Sequence, residues 1–284
     1  MADYAILNRM FTQKNMKDLI YRNNSKIYEE IVSEYINDLD TCTNFDLINE
    51  IYCLLSRQYR NEYFYENTLV NKLLFGVHSP NTTTALSQIP ISESKADFIL
   101  INGRATVFEI KTELDSFYRL ETQLKNYYKA FKFVVVVTSE NQFSELYQLL
   151  QNTPVGINVI TRDGTISRKL KKEPKEMNKD LEHKIIFDML HKNEFENIIY
   201  KYFNELPNTA PAYYYDECFN MFKRIPMEYV QDNILIEMKK RKAISKRKFR
   251  EIPYPLKAVS YFIDLSDKEH DKLQDFLSNK YNRG

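Results

Sequence analysis

Asp97 and Glu109 are separated by eleven residues that contain Asn102-Gly103, and Lys111 follows Glu109 by two. Ala96 to Ile101 and Arg104 to Lys111 are short β-type runs, and Asn-Gly between such runs is a strong hairpin signal. Period two puts Val107, Glu109 and Lys111 on one face of the second strand and Phe108 and Ile110 on the other. A carboxylate and an ammonium inside a largely apolar hairpin need partners, because burying either alone is expensive. A two-residue turn would leave Asp97 opposite Phe108, on the wrong face. A glycine bulge or three-residue connection instead pairs Ile101 with Ala105, Ile99 with Val107 and Asp97 with Glu109, and this is the register we expect. Two adjoining carboxylates raise each other's pKa unless a cation sits between them. Mg²⁺ or Mn²⁺ fits that place, held by Asp97, Glu109 and the carbonyl of Ile110. Lys111 would orient or help deprotonate a water, or stabilise charge on a phosphate. Such a set suits attack of a metal-activated water on a phosphodiester.

The elements that must position these groups alternate in type. A helix from about Asn61 to Phe75 ends at Gly76 and is followed by a polar loop at 78–84. The hairpin comes next, with an optional strand before it at Ser87 to Ile91. A helix from about Asp115 to Lys129 carries the stripe Phe117, Leu120, Leu124, Tyr127 and Tyr128. Phe131 to Val137 is apolar throughout, as in a strand buried on both faces. A helix at about Asn141 to Leu150, a strand at Ile157 to Thr161, an Asp163-Gly164 turn and a last strand ending near Leu170 complete the unit. This order predicts an α/β fold with a mixed central sheet flanked by helices. It divides the chain into an N-terminal helical region (1–56), a core (57–172) and a C-terminal helical region (173–284). Ile27, Ile31, Tyr35 and Ile36, then Leu47, Ile51, Leu54 and Leu55, give the first region its helical periodicity.

With Asp97, Glu109 and Lys111 in this order, the chain resembles the PD-(D/E)XK (restriction-endonuclease-like) nuclease superfamily. Ala96-Asp97 stands where the family name has Pro-Asp. The resemblance implies a further metal ligand from the preceding helix, Glu62 or Glu66, and we favour Glu62. Gln123 and Tyr127, four apart on the following helix, match the RecB-like branch, where they are implied to position the lysine and the nucleic acid. Asn61 to Asn67 also resembles a bacterial and phage-borne group of that superfamily. The resemblance covers about residues 60–140. It implies a Mg²⁺- or Mn²⁺-dependent nuclease, with DNA preferred over RNA, acting in defence against foreign DNA or in a mobile element. Cutting both strands with one site per chain would favour a homodimer. The competing reading is a non-catalytic nucleic-acid-binding or interaction module that keeps the fold.

Composition narrows the remaining choices. Lys and Arg total 40 against 39 Asp and Glu in 284 residues, which excludes a chain-wide basic coat. Any nucleic-acid contact must be local, and Lys239 to Arg250 holds eight basic residues in twelve (Lys239, Lys240, Arg241, Lys242, Lys246, Arg247, Lys248 and Arg250). That run is the candidate for holding a phosphate backbone, against the alternative of a solvated helix face. His78, in the polar loop, is a candidate phosphate contact. Asp115 is expected to cap the helix it precedes. Three cysteines without a Cys-x-x-Cys pair argue against a disulfide framework or zinc ribbon. No phosphate-binding Gly-rich loop or Gly-x-Ser-x-Gly is present. With no apolar run of about 20 residues, a cytoplasmic protein without membrane contact is expected.

Overall fold

Gly103, at φ +69°, turns the chain between Asn102 and Arg104, which pair across it. The left-handed region suits a residue without a Cβ. The pairing that follows, Ile101 with Ala105 and Ile99 with Val107, is the register that brings Asp97 and Glu109 together. The computed structural model describes residues 4–37, 42–77, 82–166, 170–241 and 246–281.

Five strands form one sheet in the order β1 (Thr84–Ile91), β2 (Ser94–Asn102), β3 (Arg104–Lys111), β4 (Phe133–Ser139) and β5 (Gly156–Ile160). The first three are antiparallel, whereas β3, β4 and β5 run parallel. Alternation along the strands divides the core in two. Phe98, Leu100, Phe108, Ile110, Val135 and Val137 face one layer, and Ile99, Ile101, Val107, Val134 and Val136 face the other. The sheet is thus buried on both faces, which explains the unbroken apolar run of β4.

The first layer joins both ends of the chain. It contains α1 (Leu7–Met10), α2 (Gln13–Arg22), α3 (Lys26–Tyr35), α4 (Asn44–Gln58) and α5 (Glu62–Leu69), the last continuing as a π-helix over Val70–Val77. The second layer is built from α6 (Leu120–Tyr128), α7 (Phe143–Leu150), α8 (His183–Met189), α9 (Lys192–Phe203), α10 (Pro211–Phe222) and α11 (Met227–Lys239). The chain then returns to the first layer through α12 (Lys246–Glu251), α13 (Lys257–Ile263) and α14 (Asp267–Ser278), the last packing on α2 and α4.

Two expectations are corrected. The helix after β3 starts at Leu120 rather than Asp115, because Asp115 closes the preceding turn: its Oδ2 accepts from the amide and hydroxyl of Thr112 at 2.9 and 2.7 Å. No strand follows the Asp163-Gly164 turn among the described residues; the chain pairs with β5 there through the isolated bridges Ile160–Ile166 and Ile157–Lys172. Side chains hold that turn, with the Thr161 and Thr165 hydroxyls 2.7 Å apart. No helix of the described residues is long and apolar enough to cross a membrane.

Candidate active site

Backbone pairing between β2 and β3 stops at Phe98 and Phe108, one residue before the two carboxylates. Asp97 replaces the missing rung with its side chain: Oδ2 accepts from the Ile110 amide at 2.8 Å. Glu109, the next residue on β3, is 1% exposed. Such a buried anion is tolerable only with donors, and it has three. Its Oε1 lies 2.9 Å from Lys111 Nζ and accepts from Gln123 Nε2 at 2.5 Å. Its Oε2 lies 2.5 Å from the Tyr127 hydroxyl, whose single proton is shared with the Lys95 carbonyl at 2.9 Å. Lys111 Nζ also donates to Gln123 Oε1 at 2.9 Å, so lysine, glutamate and glutamine close a ring. Helical spacing explains why one helix serves Glu109 twice: residues four apart on α6 share a face.

Asn61 caps α5, its side chain accepting from the Phe64 amide at 3.1 Å, and so sets Glu62 in the first turn. Gln88 Nε2 donates to Glu62 Oε1 at 2.8 Å. Gln88 stands opposite Asp97 on β1, between the pairs Ser87–Phe98 and Ile89–Ala96, and has φ +56°. A non-glycine residue in that region costs free energy and is enriched at functional sites. Sequence reasoning missed Gln88, since one amide in a half-polar strand carries no signal of a bent backbone.

The carboxyls repel one another. Burial, then the charges of Glu109 and Glu62, push Asp97 up to about 9 despite the Ile110 amide and Lys111. Surrounding protein, then Asp115 and Glu109, raise Glu62 above the ordinary carboxylate range. Glu66 rises to about 8 through burial and the charge of Glu62, with Ser87 of β1 as its hydrogen-bond partner. Glu62 therefore feels the strand carboxylates, while Glu66 turns to β1. Among the described residues, no three His, Cys, Asp or Glu side chains are gathered closely enough to hold a metal ion. The three carboxyls Asp97, Glu109 and Glu62 are the hard oxygen donors that a divalent cation takes, and a cation binding there would displace the protons that burial and mutual repulsion retain on Asp97 and Glu62.

The first three residues of the basic run lie away from this cluster. Lys239, at the end of α11, offers its carbonyl to Thr84 Oγ1 at 3.2 Å. Thr84 pairs with Ile101, four residues along β2 from Asp97, or about 13 Å of strand. Lys240 pairs with Glu237 at 2.6 Å. Arg241 is turned inward: its Nε and Nη2 donate to both oxygens of Glu194, which is 3% exposed, and Nη2 also reaches the Met189 carbonyl. Arg250 is exposed on α12, which also contains Lys246, Arg247 and Lys248. His78 and Lys242 lie outside the described residues.

A family model described as Bacteriophage P4 protein cII matches residues 55–257. The chain belongs to that family. The P4 cII match takes in α5, all five strands and α6 through α12, and hence every residue of the carboxylate cluster. The helices α1 to α3 precede it. No curated protein and no solved structure matches the chain.

Proposed function

We propose that the chain is a metal-dependent nuclease of the PD-(D/E)XK type that hydrolyses phosphodiester bonds, with DNA as the preferred substrate. The observation that carries the reading is the convergence of Asp97, Glu109, Lys111, Gln123 and Tyr127 where β2 and β3 part. Asp97, Glu109, Glu62 and the carbonyl of Ile110 would hold Mg²⁺ or Mn²⁺, which supplies an acidified water and neutralises phosphate charge. The chain's own groups do the rest. Tyr127 and Gln123 fix Glu109, so that its buried charge keeps one position. Gln123 also holds the Lys111 ammonium at the end of β3, where it can stabilise charge developing on a phosphate oxygen. Gln88 steadies Glu62 from β1. The P4 cII name is that of a bacteriophage protein, which supports a role in a mobile element; defence against foreign DNA is the other role proposed.

One observation favours the second reading, a non-catalytic nucleic-acid-binding module: Glu109 already has three donors around its two oxygens. Metal-dependent cutting separates the two. Circular single-stranded and supercoiled DNA would be incubated with the protein and Mg²⁺, Mn²⁺ or EDTA, beside Lys111→Ala. Cutting that needs the metal and falls on the order of a hundredfold in the variant is expected. No cutting together with no metal binding by calorimetry would leave the binding module.

A further inference from the structure

Beside the carboxylate cluster, at the C-terminal ends of the parallel strands β3, β4 and β5, lies a cleft of about 830 Å³. Its walls include Glu113 after β3, Asn141 after β4, the turn 162–165 after β5, and the end of α4. In open α/β sheets this edge is where ligands bind, because the strand-end loops diverge there. The cleft and the cluster share two short segments: Arg60 lines the cleft two residues before Glu62, and Glu113 lines it two residues after Lys111.

Four cations line the cleft against two acids, Glu113 and Asp163. Arg60 is committed to the fold: it bonds the carbonyls of Ser56, Thr161 and Arg162 and lies 3.7 Å from Glu113. Arg57, Lys72 and Arg162 are exposed and form no ion pair among the described residues. They come from three separate elements, the end of α4, the π-helix and the β5 turn. Tyr254, 38% exposed, adds an aromatic ring to the wall.

We propose that this cleft binds a single strand of nucleic acid adjoining the scissile phosphate, with Arg57, Lys72 and Arg162 on successive phosphates and Tyr254 against a base. The proposal rests on the nuclease reading for the placement of the cut. Cations spread over three elements suit a chain of phosphates, whereas one nucleotide's phosphates would need them gathered, and the chain has no Gly-rich phosphate loop. An open cleft with a few charges and a ring is also how single strands are held without sequence preference.

The test is fluorescence anisotropy with the full chain in EDTA, so that binding is read without cutting. The probes are a labelled oligothymidylate of about 20 nucleotides and a duplex of equal length. The strand is expected to bind more tightly than the duplex. The triple variant Arg57→Ala/Lys72→Ala/Arg162→Ala should lose on the order of tenfold in affinity and flatten the log K against log salt slope by about 2. Its melting temperature should match the wild type, since all three side chains are exposed. Unchanged strand binding in the triple variant would overturn the proposal. So would a duplex bound at least as tightly, or thymidine triphosphate competing as well as the strand. Strand binding through these cations without Mg²⁺-dependent cutting would keep the cleft and remove the nuclease; cutting indifferent to the triple variant would do the reverse.

Discussion

The Ile110 amide donates to Asp97 Oδ2 at 2.8 Å, so a side chain completes the sheet where β2 and β3 cease to pair. The bond holds the two strands together while leaving their carboxylates at the mouth of the split. Asp97 is thus both a structural rung and a candidate ligand, and Glu109 is fixed separately from α6.

That separate fixing makes Tyr127 a positioning residue. Tyr127→Phe removes the hydroxyl from Glu109 Oε2 and the Lys95 carbonyl while keeping the ring in the core. Leaving a buried carboxylate with one donor fewer should cost about 1–3 kcal/mol, seen as a lower urea midpoint. Gln123→Leu, which breaks the ring with Lys111 as well, should lower cutting further at saturating Mg²⁺ than Tyr127→Phe does. Equal activities would show that Gln123 only supports the fold.

In the metal-free protein, pH acts through the raised carboxyls of Asp97, Glu62 and Glu66. Unfolded, such carboxyls titrate near about 4; in the fold, Asp97 keeps its proton up to about 9 and Glu66 up to about 8. The native state therefore binds more protons over that interval, and stability, full below the unfolded values, is lost as pH rises through the folded ones. Melting temperature in EDTA should fall between about pH 5 and 9, and Asp97→Asn and Glu66→Gln should each flatten the decline. Mg²⁺ should restore more stability at the alkaline end, where it need not displace a proton. A flat profile in EDTA would contradict the burial of these groups.

The hairpin, its register and the Glu-x-Lys face were legible in the sequence because they depend on neighbours a few residues away. Gln123 and Tyr127 were singled out by the resemblance to the RecB-like branch, and helical spacing then put both on one face. Gln88 was not, because its role comes from lying across β1 from Asp97 with a left-handed backbone. Nor was the fate of Arg241, whose partner Glu194 is distant in sequence and reaches it only when α9 packs on α11.

Arg241 should therefore behave as a core residue within a basic run. Arg241→Met leaves Glu194 buried beside only the His191 side chain and amide. Removing one partner of a buried pair costs about 3–5 kcal/mol. Arg250→Ala, at an exposed position of the same run, should change stability by less than about 0.5 kcal/mol, as surface changes do. Chemical denaturation of both variants checks this; similar small losses would mean that the Arg241 guanidinium faces solvent.

Two glycines at strand ends respond to an added methyl in different ways. A Cβ on Gly103 would meet nothing within 4 Å, so Gly103→Ala should cost only the left-handed backbone, roughly 1–2 kcal/mol. Gly156 has no such backbone demand, but a Cβ there would lie 2.8 Å from Pro174 Cδ and 3.0 Å from the Lys172 carbonyl. Neither neighbour can swing away as a flexible side chain would. Gly156→Ala must displace the 172–174 segment from β5, at a cost of about 1–3 kcal/mol from overpacking. The displaced segment also carries the bonds between Ile157 and Lys172, so faster amide exchange at Ile157 should accompany the loss in Gly156→Ala and be missing from Gly103→Ala. Equal exchange in the two variants would show that the segment does not seal this edge of the sheet.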